Sequence, residues 1–202
     1  MPDPTLTLHG AALYEGWLSR ASQARLVEEV RAAVAQAPLV RPVTPSGRAM
    51  SVRMTAAGRF GWVSDRKGYR YEPRHPDGMD WPAVPETAMR IWRALGSTTR
   101  DPDCCLINFY APEARMGMHQ DHNEVDLSWP VVSISLGDEA LFRVGGTTRG
   151  GRTGSVWLRS GDALVLGGAA RLAYHGVDRI RAGSSTLLRS PGRINLTMRV
   201  VT

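Results

Sequence analysis

The chain has 202 residues, of which 43% are hydrophobic, and this is enough apolar material to fill the core of one ordinary domain. Lys and Arg number 25 against 19 Asp and Glu, so the formal charge of +6 favours polyanionic partners over basic ones. The chain has no run of about 18 apolar residues and no basic start followed by an apolar segment, so we expect neither a membrane span nor a signal peptide.

The two cysteines, Cys104 and Cys105, are neighbours in the sequence. A disulfide between adjacent residues would close a loop that is too small and strained to be a useful structural link. The pair therefore indicates a reducing compartment, and we expect a soluble, cytoplasmic protein.

Two helices are predicted in the first half of the chain. Residues 19–37 are rich in Ala, Leu, Glu and Arg, carry apolar side chains at helical spacing and are followed by Pro38, which indicates an amphipathic helix. A second, shorter helix is predicted to begin near Pro85 and to end at Gly96. We expect both helices to flank a sheet.

Residues 38–84, between the two helices, are rich in Pro and Gly, which predicts short strands and loops. Aromatic residues alternate with arginines here, and the most prominent aromatic residues are Trp62, Tyr69, Tyr71 and Trp81. Such a stretch can offer aromatic faces to a base and cations to phosphates. It is equally explained as a small peripheral core with solvated arginines.

After residue 103 the helical period disappears and short apolar or alternating runs recur between Gly-rich turns. The predicted strands are residues 105–110, 131–136, 140–144, 155–158, 163–166 and 194–200. Because no helix is long enough to connect parallel strands, the pattern predicts an antiparallel sandwich or jelly roll. The expected fold class is mainly β with flanking helices (α+β).

The stretch MGMHQDHNE, residues 116–124, concentrates polar side chains directly after a largely apolar segment. If it continues as a strand, His119 and Asp121 project from one face, and Gln120 and His122 from the other. An imidazole and a carboxylate need only one further histidine to form the facial triad that binds non-haem Fe(II) and leaves three positions open.

His175, in the stretch RLAYHGV, is the predicted third ligand. We place it in a short segment between the strand at residues 163–166 and the following turn. The remaining histidines are expected to be surface or loop groups: His9, His75 and His122. Zinc hydrolysis uses the same ligand types, so the triad alone leaves iron and zinc open.

The last strand, RINLTMRV, alternates without a break between polar and apolar residues. Its polar side carries Arg193, Asn195, Thr197 and Arg199. The ordinary interpretation is a polar face in water above an apolar face in the core. Alternatively, a planar and permanently charged guanidinium suits the far carboxylate of a dicarboxylate such as 2-oxoglutarate, whose keto-acid end would chelate iron.

Asn108 and Tyr110 lie two residues apart in the strand at residues 105–110, so they share a face. An amide and a phenol on one face are candidates to complete a carboxylate site. Each residue alone is also explained as a strand-edge asparagine or a hydrogen-bonded core tyrosine.

Four stretches together resemble the AlkB family of Fe(II)- and 2-oxoglutarate-dependent nucleic-acid demethylases: INFYAPEARMGMHQDHNEVDL, PVVSISLGDEALFRVGG, LGGAARLAYHGV and RINLTMRV. The HxD, distal histidine and RxNxxxR motifs occur in the family's order, and the resemblance runs from about residue 40 to the C-terminus. It implies a double-stranded β-helix, or jelly roll, with a nucleotide-recognition lid. We therefore expect a single domain with an N-terminal extension and helix (1–37), a lid (38–84) and a catalytic core (85–202).

The resemblance also implies a role for each matching residue. The positions of the Fe(II) ligands are His119, Asp121 and His175. The positions of the 2-oxoglutarate contacts are Asn108, Tyr110, Arg193, Asn195 and Arg199, with Arg193 and Tyr110 at the far carboxylate and Arg199 and Asn108 near the chelating end. The positions that hold the damaged base or its backbone are Trp62, Tyr69, Tyr71 and Arg149.

Two residues depart from the family pattern near the substrate. Asn123 stands where the bacterial prototype has an acidic residue, so a neutral amide replaces a negative charge and the attraction for a cationic methylated base should weaken. Leu166 stands where a tryptophan commonly precedes the Gly-Gly pair, which removes stacking area. The lesion preference is therefore left open, and Asn123 is retained as a substrate-contact candidate.

The primary hypothesis is oxidative dealkylation of N-alkylated bases in DNA, of the 1-methyladenine and 3-methylcytosine type. As the family implies, 2-oxoglutarate and O2 become succinate and CO2, and the methyl group leaves as formaldehyde. The base must come from a single strand or be flipped out of a duplex. The alternatives are the same chemistry on RNA or a protein side chain, and a non-catalytic jelly roll that binds nucleic acid. We expect a monomer.

Overall fold

The computed structural model describes residues 2–96 and 98–202, and in this part of the chain two β-sheets face each other with two α-helices packed outside. The described helices and strands are, in chain order, β1 (Leu6–Leu8), β2 (Ala11–Tyr14), α1 (Arg20–Gln36), β3 (Arg53–Gly58), β4 (Gly61–Asp65), β5 (Gly68–Glu72), α2 (Glu86–Leu95), β6 (Cys104–Tyr110), β7 (Met116–His119), β8 (Val131–Gly137), β9 (Glu139–Val144), β10 (Gly154–Leu158), β11 (Ala163–Leu166), a 3₁₀ helix (Gly168–Ala170), β12 (His175–Arg181) and β13 (Arg193–Arg199).

The strands form a seven-stranded major sheet, a four-stranded minor sheet and a separate hairpin. The order in the major sheet is β1-β2-β11-β8-β13-β6-β3, the order in the minor sheet is β10-β9-β12-β7, and β4 pairs with β5. All these pairings are antiparallel. The predicted jelly roll with flanking helices is therefore confirmed.

Both helices lie where the sequence predicts them. Ser19 caps α1 by accepting a hydrogen bond from the Ser22 amide at 3.2 Å, and α2 ends at Gly96, whose amide donates to Trp92 O. Pro85 provides no side-chain cap for α2. Instead, the Glu29 carboxylate of α1 accepts from the amide and hydroxyl of Thr87, which ties the two helices together.

The apolar side chains form two layers. One layer packs α1 and α2 against the outer face of the major sheet and includes Leu26, Val30, Trp92, Ile134 and Leu196. The other lies between the two sheets and includes Leu13, Leu106, Phe142, Leu164 and Val177. Because the helices close one side of the major sheet, its polar side chains point into the space between the sheets.

Strand β13 shows most clearly that polar side chains of the major sheet lie in the interior, because all seven of its residues are buried. The interpretation of its polar side as a solvated face is therefore wrong. Its apolar residues pack under the helices, while its arginines and amides face the interior of the sandwich.

Three parts of the fold differ from the sequence-based expectation. The N-terminal residues contribute β1 and β2 to the edge of the major sheet, and β3, inside the range 38–84, forms the opposite edge. His175 begins the seven-residue strand β12 and does not lie in a short irregular segment. Strand β7 ends at His119, so the extended chain does not continue through Asp121.

Within residues 2–96 and 98–202, no helix combines the length and the apolar character that a membrane crossing requires.

Candidate active site

A cavity of about 770 Å³ opens between the two sheets and beside the β4–β5 hairpin. Of the residues singled out in the sequence, those that line it are Trp62, Tyr69, Asn108, Tyr110, His119, Asp121, His122, Asn123, Arg149, Leu166, His175, Arg193, Asn195, Thr197 and Arg199. The sheets thus bring together side chains that are more than 130 positions apart in the sequence.

Two histidines and one carboxylate converge at one end of this cavity. His119 and His175 pair directly across β7 and β12, and their ring centroids are 4.5 Å apart. The Asp121 carboxylate oxygens lie 3.9 Å from His119 Nε2 and 3.8 Å from His175 Nε2. All three potential ligand atoms lie within 4.8 Å of one another, a spacing that one metal ion can bridge.

The close approach of β7 and β12 depends on the residue after His175. A Cβ atom on Gly176 would meet Met116 O at 2.6 Å, so a larger residue here would push the two strands apart. Gly176 therefore allows both the pairing of β7 with β12 and the close approach of the two histidines.

Both imidazoles are oriented for metal binding through Nε2. His119 Nδ1 donates to Gly117 O and His175 Nδ1 donates to Ala173 O, each at 2.9 Å. Because a carbonyl can only accept, the proton sits on Nδ1 and the lone pair of the neutral ring sits on Nε2. This arrangement supplies the borderline nitrogen donors and the hard oxygen donor that fit Fe(II).

Arg199 dominates the electrostatics around Asp121. Its Nη2 lies 3.0 Å from Asp121 Oδ2, and its Nη1 lies 3.0 Å from Glu124 Oε1. Burial alone raises the pKa of Asp121, but Arg199 and then the two imidazoles outweigh it and hold the pKa well below the usual range. The carboxylate is thus charged and ready for a metal at any working pH.

Burial, followed by the proximity of His119, lowers the pKa of His175 to about 4. The unfolded chain has a histidine pKa near 6.5, so between these values the unfolded state binds more protons than the folded state. We expect the free energy of unfolding of the metal-free protein to fall by up to about 3 kcal/mol as pH decreases from roughly 6.5 to 4. Urea unfolding at several pH values measures this loss.

His175→Gln should remove that part of the pH dependence, because the side chain no longer titrates. His122→Gln, which changes an exposed histidine, should retain it. An unchanged slope in His175→Gln would contradict the assignment of the effect to His175.

Arg193 lies at the other side of the cavity as a buried cation that forms no ion pair with a carboxylate of residues 2–96 and 98–202. Only 1% of it is exposed, Nη2 donates to Ser135 Oγ at 2.8 Å, and Nε and Nη1 have no hydrogen-bond partner among the described residues. Its Cζ lies 5.5 Å from the centroid of the Tyr110 ring. Burial lowers the pKa of Arg193, so the site would gain free energy from an incoming anion.

The remaining polar groups on the cavity floor belong to β6 and β13. The Asn195 amide donates to Ser133 Oγ and to Ile134 O, while its oxygen accepts from Thr197. Asn195 is therefore held by protein partners. Asn108 Oδ1 is buried and has no partner within the described residues, which leaves this amide available to a ligand.

Trp62 and Tyr69 lie on the β4–β5 hairpin at the mouth of the cavity. Their rings stack with centroids 5.5 Å apart and an interplanar angle of 15°. The hairpin is fixed to the body by Trp81, which packs where a Cβ atom on Gly61 would otherwise lie and donates to Glu72 O. The alternative of a closed peripheral core does not describe Tyr69, which is 43% exposed.

Arg149 and Asn123 line the cavity from two loops and are both exposed. The Arg149 guanidinium lies 5.5 Å from the centroid of the Tyr174 ring. Tyr71, in contrast, does not line the cavity. Its hydroxyl donates to Glu124 at 2.5 Å and accepts from Arg199 at 3.1 Å, and burial raises its pKa well above the usual value.

Two buried residues of this network were not singled out from the sequence. Glu124 contacts Arg199, Tyr71 and Arg171, and Arg171 donates to Asp121 O at 2.7 Å. Glu124 is the last residue of the polar stretch MGMHQDHNE, so the sequence pattern could have identified it as a candidate site residue. Arg171 is a lone arginine among Gly and Ala, and no pattern pointed to it.

The other three histidines are not among the three ligands of the cluster, and His122 is exposed, as expected, although it lines the cavity. His9 is in the turn between β1 and β2, as expected for a surface group. His75 lies in a loop, as expected, but it is only 2% exposed and so is not a surface group. Its Nε2 lies 2.9 Å from Pro38 O and its Nδ1 accepts from the Asp77 amide, so it fixes a turn.

A jelly roll that holds two histidines and a carboxylate inside one end defines the class of non-haem Fe(II) oxygenases. In agreement, the 2OG-Fe(II) oxygenase superfamily model matches residues 10–199. The match begins earlier than residue 40, where the motif resemblance begins, and so includes the N-terminal strand β2. These enzymes use Fe(II), 2-oxoglutarate and O2.

The chain is 50% identical to the alpha-ketoglutarate-dependent dioxygenase AlkB homolog of Caulobacter vibrioides (strain NA1000 / CB15N), over 97% of this chain and 90% of that protein. It is 40% identical to the alpha-ketoglutarate-dependent dioxygenase AlkB of Escherichia coli (strain K12), over 94% and 89% of the two chains. The solved structure of OsALKBH1 matches with a TM-score of 0.81 and 30% identity, covering 98% of this chain and 100% of that one. The chain belongs to the AlkB family of Fe(II)- and 2-oxoglutarate-dependent dioxygenases.

Proposed function

We propose that the protein removes alkyl groups oxidatively from N-alkylated bases in DNA. In this proposal His119, Asp121 and His175 hold Fe(II), and Arg193 with Tyr110 binds the far carboxylate of 2-oxoglutarate. One observation carries it: a three-ligand cluster and a buried guanidinium that has no carboxylate partner in the described part of the chain open into the same cavity. That pairing fits an oxygenase with a dicarboxylate co-substrate.

When held by His119, Asp121 and His175, Fe(II) would supply, with 2-oxoglutarate and O2, the oxidation of the N-methyl carbon. The net reaction converts the methylated base, 2-oxoglutarate and O2 into the repaired base, formaldehyde, succinate and CO2. The protein supplies position and charge. Arg199 keeps Asp121 ionised and Arg193 selects a dianionic co-substrate, while Leu166 and Phe142 give the cavity apolar walls, with the Phe142 ring centroid 5.9 Å from that of His175.

The proposed substrate site lies at the open side of the cavity. The stacked pair Trp62 and Tyr69 offers an aromatic face to an extruded base, and Arg149 offers a cation to a nearby phosphate. Arg48 and Arg115 also line the cavity, so its mouth is positively charged, as a polyanionic substrate requires. For Tyr71, the hydrogen bonds to Glu124 and Arg199 support a role behind the metal cluster instead of a contact with the base.

The proposal is tested with purified protein, Fe(II), 2-oxoglutarate and ascorbate on oligonucleotides that carry one 1-methyladenine or 3-methylcytosine. Mass spectrometry should show the loss of one methyl group for each succinate formed. Matched RNA oligonucleotides are the second arm, and faster turnover of RNA would change the proposed substrate. If succinate forms slowly and neither nucleic acid is demethylated, the proposed function is wrong.

Asn123 gives a prediction on specificity. Asn123→Asp adds a carboxylate to the cavity, so we expect kcat/KM for cationic 3-methylcytosine to rise about tenfold relative to neutral 3-methylthymine, which corresponds to roughly 1.4 kcal/mol. The neutral lesion is the internal control, because it carries no positive charge for the new carboxylate to attract. Equal changes for both lesions would remove Asn123 from the substrate contacts.

We also propose that the protein acts as a monomer in the cytoplasm. Cys104 and Cys105 are free thiols and both are buried, which suits a reducing compartment. Light scattering coupled to size-exclusion chromatography measures the mass in solution, and a dimer mass would contradict the first half of this proposal.

A further inference from the structure

The loop after β7 lacks the support that a sheet gives to its strands. Strand β7 ends at His119, so no ladder hydrogen bond fixes Asp121, and residues 120–130 contain no strand. A metal ligand in such a loop needs other contacts to hold its carboxylate in place. Arg199 contacts the Asp121 carboxylate itself, with Nη2 3.0 Å from Oδ2, and the contacts that hold the backbone of the loop come from residues 171–173, directly after the 3₁₀ helix.

Arg171 makes the largest number of these contacts and is only 3% exposed. Its Nη1 donates to Asp121 O at 2.7 Å, and its Nε donates to Trp129 O at 2.7 Å. Its Nη2 forms an ion pair with Glu124 Oε2 at 3.2 Å. One planar guanidinium therefore holds the loop near its start, within it and near its end.

The next two residues extend the same contact surface. Leu172 O accepts from the Gln120 amide at 2.6 Å, and Ala173 O accepts from His175 Nδ1 at 2.9 Å. Residues 171–173 thus touch the chain on both sides of Asp121 and also set the tautomer of His175. Two of the three proposed ligands are positioned by one short segment that does not itself enter the cavity.

We propose that Arg171 is a positioning residue that sets the metal affinity of the site by holding Asp121 toward the two histidines. The proposal rests on the proposed Fe(II) site. It assigns Arg171 no contact with metal, co-substrate or base. Its effect passes through the backbone of Asp121 and through Glu124, which also holds Arg199.

The test is an anaerobic titration with Mn(II), followed by electron paramagnetic resonance, which needs no turnover. Arg171→Lys keeps a positive charge but loses the planar guanidinium that donates in several directions at once. We expect the Mn(II) dissociation constant to rise about 10- to 100-fold, as for other groups that orient a metal ligand. Arg181→Lys, on an exposed arginine of β12, is the matched control and should leave the constant unchanged. When Fe(II) saturates the site, the turnover rate of Arg171→Lys should return to that of the wild type.

A second variant keeps the proposal testable if Arg171→Lys does not fold by circular dichroism. Gln120→Leu removes the amide that binds Leu172 O and Thr147 O, and it should weaken Mn(II) binding in the same direction. Dissociation constants within threefold of the wild type in the folded variants would overturn the role of residues 171–173. A wild-type protein that binds no Mn(II) would instead overturn the proposed metal site.

Discussion

Asp121→Ala is expected to abolish both turnover and metal binding. The substitution removes the single anionic ligand of the cluster and leaves two imidazoles, which cannot hold Fe(II) against buffer and water. It also takes a carboxylate from Arg199, whose Nη2 lies 3.0 Å from Asp121 Oδ2. Because Glu124 and Tyr71 remain as partners of Arg199, we expect a loss of about 3 kcal/mol in the free energy of unfolding, the low end for a broken buried pair.

The measurements are succinate formation, Mn(II) titration and urea unfolding. Asp126→Ala is the control, since Asp126 lies in the same loop, accepts from the Ser128 amide and does not belong to the metal cluster. The control should keep both turnover and metal affinity. Full activity in Asp121→Ala would remove Asp121 from the ligand set.

Arg193→Met is expected to have effects of opposite sign on binding and on stability. The guanidinium is buried, and two of its nitrogens lack a partner among the described residues. Methionine removes that unpaired charge, so the free energy of unfolding without 2-oxoglutarate should rise by about 1 kcal/mol. The co-substrate loses two charge-assisted hydrogen bonds of roughly 1.5 kcal/mol or more each, so its KM should increase by at least about 100-fold.

Arg199→Met is the matched comparison for stability. Arg199 is paired with Asp121 and Glu124, so its removal leaves Asp121 without its cation, and Glu124 keeps only Arg171 and Tyr71 as partners. We expect this variant to be less stable than the wild type by about 3–5 kcal/mol. If Arg193→Met also lost stability, or if it kept a normal KM for 2-oxoglutarate, Arg193 would be a structural residue and the co-substrate would bind elsewhere.

The sequence predicted well those elements whose pattern repeats. The helices at Arg20–Gln36 and Glu86–Leu95 follow from apolar spacing and clear stop signals, and the strands after residue 103 follow from short apolar runs between glycines. The two short N-terminal strands were not predicted. With three and four residues they are too short to show a period, and they owe their pairing to the neighbouring strand β11.

The metal cluster was predicted on partly wrong local geometry. His119 and Asp121 were placed on one strand face, but the strand ends at His119 and the loop brings Asp121 to the same point. A two-residue spacing can be satisfied by a strand or by a supported loop, and the support from Arg171 lies 50 positions away. Contacts of this kind depend on the tertiary fold, so no local pattern of the sequence contains them.

The burial of β13 also could not be decided from its own residues. Alternation is the same for a strand with one wet face and for a strand whose polar face lines an internal cavity. Both faces of β13 are buried because the two helices cover its apolar side and the minor sheet lies opposite its polar side. This location gives Arg193 its buried position and its place in the proposed co-substrate site.

A crystal structure with Mn(II) and 2-oxoglutarate, obtained without oxygen, tests the proposed metal and co-substrate sites directly. We predict one anomalous peak within coordination distance of His119 Nε2, His175 Nε2 and the Asp121 carboxylate, with the far carboxylate of 2-oxoglutarate on the free nitrogens of Arg193. A metal bound by other side chains, or a co-substrate whose far carboxylate lies away from Arg193, would contradict the account.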